Sequence, residues 1–171
     1  PLRILYMEDD PGLARLVQKK LEREGFQVDL SPDGEQGLQR YAETPYDLVI
    51  TDLFNGDCTP DYLLTVEYFR ELQNCLQPGG VVIINTYFDP ANEKADDAIL
   101  ATVAAVFPSV LELRSPPSQG LVSSACLVAS SAPLSPEVAL EMADKGPMPK
   151  KDYATLKAAR LVNRALLKES P

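Results

Sequence analysis

The segment DLVITDLFNGDCTPDY, residues 47–62, holds the side chains of this chain that are best suited to do chemistry. An apolar run ends there in a carboxylate, Asp52, and two more acids follow in a turn-rich stretch, Asp57 and Asp61. A second acidic group comes directly after the first apolar run of the chain: Glu8, Asp9 and Asp10. Carboxylates in such places can act as a general base, as a nucleophile or as ligands of a hard cation such as Mg²⁺.

The composition removes several classes of mechanism. There is no histidine in the 171 residues, which excludes Ser-His-Asp and Cys-His catalysis, histidine-ligated zinc and a role as histidine phosphodonor. The three cysteines are odd in number and form no CxxC pair, so we predict reduced thiols rather than a disulfide or a metal site: Cys58, Cys75 and Cys126.

Charge and length set further limits. The net charge is −9 and no basic run occurs, which argues against a nucleic-acid partner. No apolar run is long enough to span a bilayer and no leader pattern opens the chain, so we expect no membrane partner and a cytoplasmic location. A chain of 171 residues is long enough to bury the core of one domain.

Strand and helix patterns alternate along the chain. The predicted strands are 2–7, 26–30, 46–52, 81–86, 110–113 and 121–129; the predicted helices are 11–24, 33–43, 61–76, 92–107, 136–145 and 152–168. The strands are nearly continuous apolar runs, which is typical of a parallel sheet covered on both faces. The last two strands have no helix between them, and this indicates an antiparallel hairpin at one edge.

The acids that follow strands one and three belong at the carboxyl ends of that sheet, where ligands bind in such folds. If the two strands are neighbours, Glu8, Asp9 and Asp52 converge there. Carboxylates in one crevice repel each other, which favours bound Mg²⁺ or raised pKa values. The alternative is structural: Asp9 or Asp10 only caps the helix that begins at Pro11, and Asp52 only begins a loop.

Residues 2–53 resemble the first half of a bacterial response-regulator receiver domain. The resemblance is carried by the acidic cluster in ILYMEDD, the helix end LEREGF, the helix start DGEQGL and the strand YDLVITDL. It implies that Glu8, Asp9 and the backbone carbonyl of Phe54 hold Mg²⁺ together with Asp52. It also implies that Asp52 is phosphorylated, with a histidine kinase as the partner that supplies the phosphoryl group.

The receiver pattern stops after Asp52. Thr86 ends strand four and could supply the hydroxyl that responds to phosphorylation in that family. The lysine that the family places after strand five is missing, since the sequence there reads VLELRSPP. Arg114 is near that place, but a guanidinium has a different shape and reach from an ammonium group.

Residues 47–131 are similar to the second half of spermidine-synthase-like proteins and other class I S-adenosylmethionine-dependent methyltransferase folds. The segment FRELQNCLQPGGVVIIN and a terminal hairpin, FPSVLELRSPP followed by GLVSSACLVASS, carry this resemblance. It implies that Asp52 or Asp57 acts as a base. The family's cofactor needs a glycine-rich loop after strand one and an acid that ends strand two. Here those places read MEDDPG and VDLSPD, with Asp33 displaced, so we do not expect S-adenosylmethionine to bind.

We therefore predict a chimera in a doubly wound three-layer α/β fold, a flavodoxin-like/Rossmann-like hybrid with strand order 2-1-3-4-6-5 and strand six antiparallel. Residues 1–171 would form one domain, with a receiver-like half at 1–53, a methyltransferase-like half at 54–131 and C-terminal helices at 132–171.

The predicted function is that of an engineered hybrid scaffold, not an enzyme, which retains a weak Mg²⁺-binding phosphoacceptor pocket and has no certain partner. The alternatives are a working phosphoacceptor module or an S-adenosylmethionine-dependent methyl- or aminopropyl-transferase.

Overall fold

The computed structural model describes residues 1–41, 44–53, 64–88, 91, 93–114, 123–137 and 160–162. Its elements, in chain order, are β1 (Arg3–Glu8), α1 (Pro11–Arg23), β2 (Gln27–Ser31), α2 (Gly34–Tyr41), β3 (Tyr46–Asp52), α3 (Val66–Asn74), β4 (Leu76–Phe88), α4 (Glu93–Val106), β5 (Ser109–Arg114), β6 (Ser123–Ser130) and β7 (Arg160–Leu161).

The strands form one sheet in the order β2-β1-β3-β4-β6-β5-β7. The neighbours β2, β1, β3 and β4 pair in parallel, and β6 is antiparallel to both β4 and β5. This confirms the predicted α/β class and the order 2-1-3-4-6-5, to which β7 adds a short antiparallel strand beside β5.

Two hydrophobic cores lie on opposite faces of the sheet, because successive side chains of a strand point to opposite faces. The larger core contains Leu5, Met7 and Val49 and is covered by side chains from α3 and α4. The smaller core lies under α1 and consists of Ile4, Tyr6, Ala14 and Val28, with Leu48 and Ile50 packed against it. The larger core takes residues from both predicted halves; the boundary at residue 53 remains a prediction.

Strand β4 is longer than the sequence suggests. Pro78-Gly79-Gly80 reads as a turn before a strand at 81–86, but β4 runs from Leu76 to Phe88. Leu76 pairs with Tyr46 of β3, and the register shifts between Tyr46 and Leu48. Pairing with β3 thus draws the Pro-Gly-Gly segment into the strand, and Gly79 takes the positive φ of 80° that the irregularity requires.

The two helices predicted near the C-terminus agree with the structure to different extents. The helix predicted at 152–168 is wrong at its described residues, because Arg160–Leu161 form β7 and pair with Leu111 and Glu112. The backbone N–H of Val162 also donates to the carbonyl of Val110, so this segment satisfies the outer edge of β5. Of the helix predicted at 136–145, only 136–137 are described, and they are helical.

The remaining helix bounds differ modestly from expectation. Helix α3 begins at Val66, where Thr65 caps it through the N–H of Tyr68, and the predicted start at 61–63 lies outside the described residues. Within the described ranges, no helix combines the length and the apolar character needed to cross a membrane. The cytoplasmic location remains a prediction.

Candidate functional site

A line of polar side chains crosses four adjacent strands near the carboxyl ends of β1, β3 and β4. Glu8 is the register partner of Asp52, and Asn85 is the register partner of Cys126 on β6. Asn85 joins the two pairs, since its side chain contacts Asp52. We call Glu8, Asp52, Asn85 and Cys126 the polar row. Strand alternation places the row on the sheet face that carries α1 and the smaller core.

Asp52 is half-buried in the middle of the row. Nδ2 of Asn85 donates a hydrogen bond of 2.8 Å to Oδ1 of Asp52. The thiol of Cys126 lies 3.9 Å from Oδ1 of Asn85 and donates weakly to it. The amide therefore turns its donor toward the carboxylate and its acceptor toward the thiol. Burial raises the pKa of the Cys126 thiol, and the negative charge of Asp52 raises it further.

Glu8 is the buried carboxyl of the row, with 5% exposure. Its Oε1 accepts the backbone N–H of Asp10 at 2.9 Å, and its Oε2 accepts the hydroxyl of Tyr6 at 3.0 Å. Burial raises the pKa of Glu8, and the charge of Asp52 and a hydrogen bond with Asp9 act in the same direction. The Asp10 N–H and the Tyr6 hydroxyl oppose this effect, because they stabilise the ionised carboxylate.

The structural alternative holds for Asp10. Its side chain caps α1, where Oδ1 accepts the N–H groups of Gly12 and Leu13, both at 2.8 Å. Asp9 is exposed. The described part of the chain contains no group of three or more acidic or cysteine side chains that could hold a metal ion. The magnesium site remains a prediction.

Other predicted site residues lie apart from the row or outside the description. Thr86 is 2% exposed and, by strand alternation, faces away from Asn85 toward the larger core. Phe54 and Asp57 lie outside the described residues. Their proposed roles, and that of Thr86 as a switch hydroxyl, stay predictions.

Arg114 ends β5, and β6 lies between β5 and β4. The guanidinium of Arg114 pairs with the buried carboxylate of Glu112 and lies 3.9 Å from the carboxylate of Asp96. It also stacks over the ring of Phe88, 4.1 Å from the ring centroid. These contacts join β4, β5 and α4, which is a structural role for Arg114.

The loop after β1 does not fit an adenosyl cofactor held through backbone N–H groups. The N–H groups of Asp10, Gly12 and Leu13 already donate to Glu8 and Asp10. After β2, the carboxylate of Asp33 accepts two hydrogen bonds from Gln36, at 2.7 and 2.8 Å. At both places where the sequence departs from the cofactor pattern, the chain's own carboxylates thus accept internal hydrogen bonds, and we derive no step through such a cofactor. That S-adenosylmethionine does not bind remains a prediction.

Sequence reasoning missed Tyr6 and Asn85. Tyr6 lies two residues before Glu8, so strand alternation places the two side chains on the same face of β1. Asn85 ends the apolar run VVII of the strand next to Asp52. A search for polar residues beside the acids, at i−2 on the same strand and at the end of the neighbouring strand, would have found both.

Comparison with known proteins shows that this chain is related to two groups of proteins. A family model described as "Spermine/spermidine synthase domain" matches residues 14–115. This match begins well before residue 47, so it reaches into the receiver-like half. The polyamine aminopropyltransferase of Vibrio vulnificus is 32% identical over 75 residues, which are 44% of this chain and 24% of that protein.

The second relationship is to response regulators. The response regulator ArlR of Staphylococcus saprophyticus is 41% identical over 51 residues, which are 30% of this chain and 23% of that protein. The chain therefore spans about a quarter of these curated relatives. Receiver-like and spermidine-synthase-like regions are both present, and the predicted chimeric composition is confirmed.

A solved structure described as a probable spermidine synthase of Corynebacterium glutamicum has the same fold, with a TM-score of 0.62 and 20% identity. The likeness covers 98% of this chain and 68% of that one. The prediction that the chain is not an enzyme is wrong, because the family model that matches residues 14–115 describes a synthase domain. That prediction rested on the acidic loop after β1, which departs from the family's cofactor pattern while the rest of the domain matches.

Proposed function

Since this chain belongs to the spermine/spermidine synthase domain family, we propose that its polar row is the acceptor side of a transferase site and binds a cationic amine. The observation that carries the proposal is the pairing of Glu8 with Asp52 on adjacent strands and one sheet face. Asp52 is held there by the Asn85 amide.

Two neighbouring carboxylates, one buried and one half-buried, are a poor site for an anion and a good one for an ammonium group. The attraction between opposite charges strengthens as the local dielectric constant falls, and a bound cation also relieves the repulsion between the two acids. The net charge of −9 favours the approach of cations from solution. A relative named as a polyamine aminopropyltransferase is consistent with such a ligand.

Asp52 is the residue we assign as general base. Its Oδ1 accepts the Asn85 amide, which leaves Oδ2 to take a proton from a bound ammonium group. The N–H bond breaks toward Oδ2, so Asp52 gains the proton and the nitrogen keeps the electron pair as a neutral, nucleophilic amine. Glu8 stays in place as the second carboxylate and offsets the charge of the ammonium ion before that proton moves.

Calorimetric titration with spermidine tests the proposal. We expect saturable binding to the wild-type chain and at least about tenfold weaker binding to Asp52→Asn, since a hydrogen bond to a charged group is lost. Asp97→Asn is the matched control, because it removes the same charge from α4, away from the row. Absence of binding to folded wild-type protein, or equal losses in the two variants, would overturn the proposal.

A second candidate is phosphoryl acceptance by Asp52. The placement of Glu8, Asp9 and Asp52 at the ends of β1 and β3 and the similarity to response regulators favour it. Incubation with Mg²⁺ and a small phosphodonor, followed by intact-mass measurement, tests it with Asp52→Asn as the control. One added phosphoryl group in the wild type alone would support this candidate and a histidine kinase as its partner. The engineered origin of the chain remains a prediction, and neither experiment depends on it.

A further inference from the structure

Tyr6 carries a phenolic hydroxyl inside the smaller core, beneath α1. The residue is 3% exposed, and it packs with Ile4, Ala14 and Val28. A tyrosine hydroxyl in such a place needs a hydrogen-bond partner, because a buried polar group without one is costly. Its partner is Oε2 of Glu8, at 3.0 Å.

Glu8 is thus held from two sides. Tyr6 donates from the same strand, two residues back, and the N–H of Asp10 donates from the loop that follows. Each donor takes a different carboxylate oxygen, so together they fix both the position and the plane of the group. A flexible glutamate becomes a carboxylate with one orientation, beside Asp52 on the next strand.

We infer that Tyr6 is a positioning residue that holds the Glu8 carboxylate beside Asp52, as the second carboxylate of the amine site. The inference rests on the proposed function of that site. Tyr6 itself does not touch the amine; it acts through Glu8. Without the hydroxyl, Oε2 of Glu8 is buried without this donor. The loss favours side-chain conformations that turn the carboxylate away from Asp52.

A double-mutant cycle on spermidine affinity tests this role. The variants are Tyr6→Phe, which keeps the ring and removes the hydroxyl, Glu8→Gln, and the two together. We expect Tyr6→Phe to weaken binding about fivefold and to have less than about a twofold effect once Glu8 is glutamine, since the two residues act as one unit. A merely structural role for Tyr6 would give the same loss in both backgrounds.

Tyr46→Phe is the matched control. Tyr46 is also buried on the sheet, and its hydroxyl donates to Asp29 at 2.9 Å, but it begins β3 and so lies at the opposite end of that strand from Asp52. We expect unchanged spermidine affinity in this variant. If Tyr6→Phe does not fold, as judged by circular dichroism, Tyr6→Leu serves as the second variant without a hydroxyl.

The outcomes separate the two proposals. Wild-type protein that does not bind spermidine overturns the proposed function, and this inference with it. Wild-type binding that is unchanged in Tyr6→Phe overturns the inference alone and leaves the amine site in place. Equal losses with and without Glu8 also overturn it, whereas a loss confined to the Glu8 background supports it.

Discussion

At the scale of single residues, burial is the main cause of the altered chemistry of the Cys75 thiol. Cys75 lies in the larger core, and its thiol donates to the carbonyl of Glu71 at 3.1 Å. Burial raises the pKa of this thiol from 9.0 to about 12, and the charge of Glu71 adds to the effect. The thiolate is the reactive form, so Cys75 is inert in the folded protein at neutral pH.

We predict that ionisation of the Cys75 thiol lowers the free energy of unfolding in alkali. In the unfolded chain it ionises near 9.0, whereas in the folded chain it keeps its proton until about pH 12. The unfolded state therefore gives up a proton first, and the contribution of Cys75, complete below about pH 9, is lost as the pH rises toward 12. Thermal unfolding between pH 7 and 11 should show a steeper fall in Tm for the wild type than for Cys75→Ala. Parallel curves would contradict the prediction.

At the scale of elements, α1 depends on one capping side chain. Asp10 accepts two N–H groups of the first turn, and its exposed neighbour Asp9 has no part in the cap. We expect Asp10→Ala to lower the free energy of unfolding by about 1 kcal/mol, a usual cost of losing a cap. Asp9→Ala is the control and should cost less than about 0.5 kcal/mol. Urea unfolding measures both values, and equal losses would show that charge, not capping, stabilises the helix start.

In strand β4, pairing with β3 overrides the local preference of the sequence for a turn. Pro78, Gly79 and Gly80 are turn residues by type, yet they lie within the strand. A Cβ on Gly80 would come within 2.9 Å of the carbonyl oxygen of Gln77 and 3.2 Å of that of Asp47 on β3. Position 80 thus requires glycine because the backbones of β3 and β4 approach closely there. No pattern in the sequence around Gly80 predicts this approach.

At the scale of the whole molecule, the two differently related parts share one core. Leu5 and Val49 come from the predicted receiver-like half, and Phe69, Val82 and Leu127 come from the rest of the chain, in one cluster of fully buried side chains. Strands β3 and β4, one from each half, pair in parallel. The larger core is therefore completed only when side chains from both parts of the chain pack together.

We therefore expect a single unfolding transition. Far-ultraviolet circular dichroism follows the backbone, and tyrosine fluorescence follows side chains in both halves, among them Tyr6 and Tyr68. The two probes should give the same midpoint in urea, as a two-state domain requires. Separate midpoints would mean that the halves unfold as independent units and would contradict the shared core.

The sequence by itself determined the fold class and the edge at which the acids lie, and the resemblance to two known families implied the strand order. Long apolar strands that alternate with amphipathic helices admit few arrangements other than a covered parallel sheet, and the missing helix between β5 and β6 forces them to run antiparallel. Glu8 and Asp52 could be placed at the carboxyl edge because each ends an apolar strand.

Only the tertiary structure decided what those acids contact. The amide of Asn85 against Asp52 depends on the register between strands, and the hydroxyl of Tyr6 against Glu8 depends on side-chain direction. The cap at Asp10 is local, and the structure decided between it and the alternative interpretation of the acidic cluster. The short strand β7 likewise forms because β5 offers an edge, not because of its own residues. Asn85 and Asp52, for example, lie 33 residues apart in the chain. Local pattern can suggest which residue types meet, but the atoms that meet are set by packing.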